Sequence, residues 1–406
     1  MTETLRFVGR EFEGFKNALS RQAAAFSEPV DLDAQWLPME RLEQYLVGDG
    51  PSLETDLALV VTDWLPQLIR DGALMPLDPF LQKDPPQDWP EGWSPSMRSL
   101  QTTSDGTCYA LPYHDGPVMF LYRGDLFDDP GEQATFADRF GYQLAAPTTW
   151  AEYVDIAKHF TRPQDRLWGT VLGGYPDGHN NVYDFLTHLW TRGGALVTDG
   201  EPSIDSSEGI DALGFLHDLW HEHRVVDPAA LGWDSVASGQ AFADGLAAMT
   251  VNWAGFAALS ALPGSPTAGR IRCARVPQAE GPRGRSVSLN VYWVLAIRSE
   301  CRDPELAWRF LHHLASPEMD RITSEEGATG TRLSTWRDPR VQAMAPYYEV
   351  LEDAHRSVES PPPWPEWPAV NGVLNRMVDD VLRERATPEA AAARGSQHMR
   401  ECLGTT

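Results

Sequence analysis

Apolar positions at the start of the chain switch between two periods. Residues 5–8 form a short apolar run, and Phe12, Phe15, Leu19, Ala23 and Phe26 then recur at helical spacing, which predicts a strand followed by a helix over 12–26. A second strand is predicted over 32–37, close to Trp36, then a helix over 39–46 and a buried strand over 56–61 that stops at Thr62-Asp63-Trp64. Strands and helices in this alternation predict an α/β fold built on mostly parallel sheet, with a ligand crevice beyond the carboxyl ends of the strands. Gly9-Arg10-Glu11, Trp36 and Asp63-Trp64 all fall at such ends.

Helix starts are punctuated further along. Thr149-Trp150-Ala151-Glu152 is a capping box, while Asp303-Pro304-Glu305, Ser316-Pro317-Glu318 and Thr387-Pro388-Glu389 each join a cap, a proline at the first helical position and an acid near the helix dipole. Leu306, Phe310, Leu311 and Leu314 then make one apolar side, and 370–382 reads as a long amphipathic helix. Residues 361–368, Pro-Pro-Pro-Trp-Pro-Glu-Trp-Pro, predict a stiff extended loop, because proline fixes φ repeatedly. Such a loop either presents Trp364 and Trp367 or straps them onto a neighbouring helix.

Length and composition narrow the function. A chain of 406 residues is too long for one core, so two lobes are expected. A net charge of −25 argues against nucleic acid or anionic lipid as partner. The longest apolar runs, such as 57–61 and 291–297, are strand-length and far short of the ~20 residues of a membrane span. Residues 1–8 lack a basic segment followed by a long apolar one, so no signal peptide is expected within this sequence. Cys108, Cys273, Cys301 and Cys402 form no Cys-x-x-Cys pair, which excludes a zinc knuckle by spacing.

The candidate chemistry lies in the tryptophans, of which there are 15. Asp63-Trp64, Asn252-Trp253, Tyr292-Trp293 and the pair Trp364 and Trp367 each set a flat ring beside a polar group. That combination suits a sugar, one face of which is a patch of C–H bonds while its rim is hydroxyl. An acidic protein rich in Trp and Tyr also suits a cationic ligand such as a quaternary amine. No nucleophile elbow, P-loop or dinucleotide fingerprint is present, and no catalytic residue or cofactor is expected; a glycoside hydrolase would need a carboxylate pair that spacing does not identify. His217 and His221 have the i, i+4 spacing of a zinc-binding pair. Leu213, Leu216 and Trp220 already supply that helix with an apolar side, so these histidines and His223 are expected to flank it in solvent, without metal.

From Tyr109 onward the order of landmarks resembles that of extracellular solute-binding proteins of the large oligosaccharide-binding family, the group that includes the maltose-binding protein. The matching residues are Ala110-Leu111-Pro112-Tyr113, Leu121-Tyr122-Arg123-Gly124-Asp125-Leu126-Phe127, Pro147-Thr148-Thr149-Trp150 and Arg192-Gly193-Gly194-Ala195-Leu196. They continue with Phe242-Ala243-Asp244-Gly245-Leu246-Ala247-Ala248-Met249 and with Pro304-Glu305-Leu306-Ala307-Trp308-Arg309-Phe310-Leu311 before Ser316-Pro317-Glu318. Arg123-Gly124 stands where the family has Asn-Lys, and Thr331 where it has Pro before the basic residue.

The resemblance implies a two-lobed periplasmic-binding-protein fold of type II, with discontinuous lobes joined by two or three crossing segments around a hinge. Lobe 1 is expected to comprise 1–112 and 272–315, and lobe 2 to comprise 113–271 and 316–406. It implies a monomer that traps a carbohydrate in an aromatic-lined cleft between lobes by hinge closure and delivers it to the membrane permease of an ABC transporter, outside the cytoplasm. A non-exported cytosolic sugar-binding protein is the alternative in the absence of a leader.

Candidate ligand contacts follow from both sources. Asp63 and Trp64 match the family's ligand-contacting turn; Asp63 can accept two hydroxyl bonds from a diol or cap the helix after it. Asn181 and Tyr183 match sugar-contacting positions, and Trp367, supported by Trp364, matches an aromatic in the late loop. Asn252 and Trp253 are read as amide and stacking partners. Trp36 stacks on ligand or packs in the core, and Arg10 with Glu11 contacts ligand or forms an exposed ion pair. Tyr113, His114 and Asp115 lie where the chain is expected to cross lobes, and Tyr292 and Trp293 lie on the return strand. Arg332 reaches the ligand or nearby acids.

Overall fold

The computed structural model describes residues 3–48, 54–261 and 264–404. The chain divides into two compact units, one of 1–116, 291–344 and 360–367, the other of 117–290, 345–359 and 368–406. It therefore passes between units five times, at 116/117, 290/291, 344/345, 359/360 and 367/368, rather than two or three times.

The first unit is built on a five-stranded sheet in the order Val30–Leu37, Glu3–Arg10, Leu57–Val61, Trp293–Ile297, Leu111–His114. The first three strands are parallel, as their short β–α–β connections predict, while Trp293–Ile297 runs antiparallel to both neighbours. The sheet is mixed, then, and not mostly parallel, because the fourth strand arrives from a distant part of the chain. Every residue of Leu57–Val61 and Trp293–Ile297 is buried, which is why both read as continuous apolar runs. The helix Glu13–Ala24 buries Phe15, Ala18, Leu19 and the polar Gln22. Gln22 Nε2 donates to the Met319 carbonyl (2.8 Å) and Thr323 Oγ1 (2.9 Å) of the helix Pro317–Glu325.

The second unit holds a four-stranded sheet in the order Ile271–Ala274, Val118–Arg123, Ala247–Trp253, Trp168–Val171, of which only the last pair is parallel. Helices Trp150–Phe160, Asn180–Thr191, Ser207–Trp220 and Pro388–Leu403 belong to it. All four punctuated helix starts form as expected: Thr149 makes a full capping box with Glu152, and Asp303, Ser316 and Thr387 each accept a backbone N–H from the first turn.

Two expected lobe boundaries are corrected by these pairings. Residues 272–290 belong to the second unit because Ile271–Ala274 pairs with Val118–Arg123 and Ser288–Leu289 pairs with Val358–Glu359. Residues 316–344 belong to the first, because Pro317–Glu325 is bonded to Glu13–Ala24 through Gln22 and through ion pairs of Arg21 with Glu325 and Glu326.

Candidate functional site

In the second unit the strand Ala247–Trp253 ends on its most informative residue. Trp253 is half-buried, and its Nε1–H donates to Asn180 Oδ1 (2.9 Å) at the start of the helix Asn180–Thr191. Tyr183 meets the indole edge-on (centroids 5.6 Å, 87°) and the His179 ring stacks on it (5.7 Å, 29°). Asn252, 2% exposed, has its amide consumed: Nδ2 donates to Ser238 Oγ (3.2 Å) and Oδ1 accepts the Trp253 backbone N–H (2.8 Å). Each end of the amide thus has a protein partner already, and the bond to the Trp253 N–H positions the tryptophan. Asn181 likewise turns inward, donating to Asn375 Oδ1 (2.6 Å) and accepting the Val182 N–H (2.9 Å).

Two residues here were not named from the sequence, His179 and Asn180. Asn180 lies next to Asn181, and the asparagine-rich helix start was the available signal. The loop before it is pinned by the helix Trp367–Leu382, where Asn371 Nδ2 donates to the Gly178 carbonyl (2.7 Å) and Asn375 Nδ2 to that of Pro176 (3.0 Å). An indole with its N–H spent, its edge met by Tyr183 and one face stacked by His179 has its opposite π face as what it can offer a ligand, so what this cluster can do is stack.

The first unit brings several predicted residues together around Trp293. The Arg10 guanidinium lies 5.8 Å from its ring centroid, Trp64 meets it edge-on at 6.3 Å, and Phe15 at 5.9 Å. Trp64 and Trp293 are buried, whereas Arg10 is half-buried. Asp63 Oδ2 accepts Trp367 Nε1–H (3.1 Å), joining the turn Thr62–Trp64 to the proline-rich loop. Trp367 itself is 1% exposed and opens a helix, so of the two loop tryptophans only Trp364 is half-buried. Behind this contact a cavity of about 370 Å³ is lined by Asp63, Pro66, Ile69, Gln101, Pro361 and Pro363 among others. Trp36 packs against Phe7 (5.2 Å), over Gly9, where a Cβ would come within 2.9 Å of the indole. Glu11 is exposed and pairs with Lys16 (3.2 Å).

Other predicted contacts have partners within the protein. The buried Tyr113 hydroxyl donates to Gln22 Oε1 (3.0 Å), and that of Tyr292 reaches the Met97 carbonyl (2.5 Å) and Gln101 Oε1 (2.7 Å). Burial pushes both phenols far above their ordinary range. Asp115 is fully buried, its backbone N–H on the Thr329 carbonyl (3.0 Å). Arg332, 1% exposed, lies over Trp93 (4.2 Å) and donates Nη1 to the Ala315 carbonyl and Nη2 to the Gln87 carbonyl (2.7 Å each). Its Nη2 also reaches Asp88 Oδ2 (3.4 Å).

His114 Nδ1 accepts the Thr329 N–H (2.8 Å), so in the neutral ring the proton sits on Nε2. Burial depresses its pKa from 6.5 to about 4, with Arg10 adding repulsion. The unfolded chain binds this proton first, so the contribution to stability is complete above pH 6.5 and is lost as pH falls toward 4. The expected loss is up to about 3 kcal/mol. Urea unfolding at stepped pH checks it: His114→Asn, which keeps an acceptor for Thr329, is expected to flatten the curve over that window relative to the parent. Identical slopes would refute the assignment.

A concavity of the second unit, about 880 Å³ beside Trp150, Arg192, Glu208, Phe215 and Arg283, contains none of the predicted residues. Its Arg283 and Glu208 pair with each other, as expected of a polar surface basin. No helix among the described residues is long and apolar enough to cross a membrane.

Comparison with known proteins places this geometry in context. A family described as bacterial extracellular solute-binding protein matches residues 29–321. The arabinooligosaccharide-binding protein of Halalkalibacterium halodurans is 22% identical over 418 residues, covering 96% of this chain and 87% of its own. A probable ABC transporter-binding protein of Deinococcus radiodurans is 22% identical over 299 residues, covering 71% and 67%. Among solved structures, maltose-bound MalE3 of T. maritima has a TM-score of 0.85 at 22% identity, covering 98% of this chain and 100% of that one. An ABC transporter solute-binding protein of Agrobacterium radiobacter in complex with ribitol also has a TM-score of 0.85, at 23% identity and coverage of 100% and 99%. The fold is thus the two-lobed type II periplasmic-binding fold that the landmark residues implied.

Proposed function

Because the chain belongs to the bacterial extracellular solute-binding protein family, whose pattern spans 29–321, we propose that it captures a neutral carbohydrate or polyol and hands it to the membrane permease of an ABC importer. The observation that carries this reading is Trp253, half-exposed and locked by Asn180, Asn252, Tyr183 and His179 with a π face as its remaining means of recognition. A sugar ring offers C–H bonds to such a face, and a platform fixed before binding loses little entropy when the ligand arrives. The related proteins from H. halodurans, T. maritima and A. radiobacter, which carry arabinooligosaccharide, maltose and ribitol in their descriptions, support the ligand class. Trp64, Trp293 and Arg10 of the first unit are the second set of candidate contacts. We place the protein outside the cytoplasm with its family, and assign it no chemistry on the ligand.

Calorimetry against a panel of mono- and oligosaccharides and polyols tests this. The expected result is saturable binding of at least one neutral member, with an affinity indifferent to salt and no turnover on prolonged incubation. Binding confined to quaternary amines and weakened by salt would replace this reading with cation recognition. Cleavage of an oligosaccharide would replace it with hydrolysis.

A further inference from the structure

We propose that His217, His221 and Glu384 form a binding site for one divalent transition-metal ion of the kind that favours imidazole, zinc foremost. The site lies wholly within the second unit and shares no residue with the sugar-stacking cluster. One ligand atom from each of the three side chains lies within 4.8 Å of the others. His217 stands in the last turn of the helix Ser207–Trp220 and His221 immediately follows it, so the i, i+4 spacing puts both rings on one face, with centroids 4.6 Å apart. Glu384 arrives from just beyond the helix Trp367–Leu382, in a left-handed turn (φ 55°), and its Oε2 lies 3.7 Å from His221 Nδ1. Neighbouring ligands in a tetrahedral zinc site are about 3.4 Å apart, given bonds of about 2.1 Å. The His221–Glu384 pair needs to close by a few tenths of an ångström, and the widest pair, within 4.8 Å, by about 1.4 Å or less, which side-chain rotation of the exposed Glu384 can supply.

The hydrogen bonds behind the rings argue for a ligand more strongly than the spacing does. His221 Nε2 lies 2.9 Å from the Leu382 carbonyl, which has no N–H of its own helix left to accept. A carbonyl can only accept, so the proton is on Nε2 and the Nδ1 lone pair is directed at the Glu384 side. His217 Nδ1 lies 3.0 Å from Asp218 Oδ1, which in the same way assigns the proton to Nδ1 and leaves Nε2 as donor to a metal. A carbonyl or carboxylate behind each imidazole is the arrangement that fixes tautomer and ring orientation at metal sites. Nearby cations are already occupied: Arg383 binds Asp379 and the Leu231 carbonyl, and Arg385 binds Asp379 and Asp380. Both histidines are about one-quarter exposed, which leaves room for water at a fourth position. The expectation from helix periodicity, that these histidines merely flank an apolar stripe, omitted Glu384, which lies 163 residues beyond His221 in the chain and enters only by folding.

A bound ion would tie the end of Ser207–Trp220 to the end of Trp367–Leu382. The test is calorimetric titration of the full chain, stripped with chelator, with zinc chloride in a buffer that does not bind zinc. One equivalent is expected to bind, and the loaded protein to melt at higher temperature. His217→Ala and the double variant His217→Ala/His221→Ala are expected to lose this uptake, Glu384→Gln to weaken it at least about tenfold, and Asp218→Asn by about tenfold through ring orientation. Circular dichroism of each stripped variant verifies the fold, and X-ray absorption on the loaded parent is expected to report two imidazole nitrogens and carboxylate oxygen. Absence of uptake by the parent, or uptake undiminished in the double variant, overturns the proposal. Neither outcome bears on sugar binding, which is measured separately with chelator present.

Discussion

Trp253→Ala is expected to weaken ligand binding by about 2–4 kcal/mol, ~30- to ~1000-fold, while leaving the protein folded. The indole ends the strand Ala247–Trp253 as the proposed platform, and its surroundings hold it in place. Removing it deletes the stacking face together with the preorganisation supplied by Asn180 and Asn252. Trp253→Phe separates these contributions, since it keeps an aromatic face but gives up the bond to Asn180 Oδ1. Affinity within about tenfold of the parent is expected for the Phe variant, as one neutral hydrogen bond contributes roughly 1 kcal/mol. Calorimetry with the best ligand from the panel measures both. Parent-like affinity in the Ala variant would remove Trp253 from the site.

Arg332→Ala is expected to destabilise the first unit by about 3–5 kcal/mol, with little change in ligand affinity under conditions where the variant is folded. The guanidinium satisfies the Ala315 and Gln87 carbonyls and covers Trp93. Nearby, the buried Asp320 accepts the N–H groups of Thr331 (2.7 Å) and Arg332 (3.0 Å) and the Thr331 hydroxyl (3.1 Å), and Thr331 in turn accepts Trp93 Nε1–H (3.0 Å). Burial raises the Asp320 pKa against the hydrogen bonds it accepts from Thr335, Thr331 and the Arg332 N–H, and burial lowers that of Arg332 against the attraction of Asp320 and Asp88. Taking the cation away leaves a buried carboxylate without its counter-charge and two carbonyls without donors. Arg332→Lys is expected to recover little, because a point charge cannot reproduce a planar fork lying on an indole. Urea denaturation gives the stability, and calorimetry the affinity. A stable Arg332→Ala variant that no longer binds would instead make this residue a ligand contact.

The elements themselves were legible. Apolar runs located Glu3–Arg10 and Leu57–Val61, helical spacing located Glu13–Ala24 and Met39–Leu46, and cap–proline–acid triplets located the starts of Pro304–Leu314, Pro317–Glu325 and Pro388–Leu403. Each depends on contacts within a few residues, and such contacts are written in the local sequence. Sheet order was less so: antiparallel Trp293–Ile297 enters beside Leu57–Val61 from more than 200 residues away, and no local periodicity records that.

For the candidate site, residue type nominated rings but not the direction of the polar groups beside them. Asn252 beside Trp253 reads as a ligand-binding amide until Ser238 and the Trp253 backbone are seen to use both of its ends. Asp63 reads as a diol acceptor or a cap until Trp367, 304 residues away, is found donating to it. Arg332 reads as reaching the ligand or nearby acids until the Ala315 and Gln87 carbonyls are seen to take its guanidinium over Trp93. The sequence by itself determined the element types, the capped helix starts, the family and the supply of rings. Which rings have a face left to offer, which polar atoms are already spent, and which histidines meet a carboxylate were decided only by the tertiary structure. The physical reason is that hydrogen-bond capacity is finite, and its allocation depends on partners that only the fold brings within 3 Å or so.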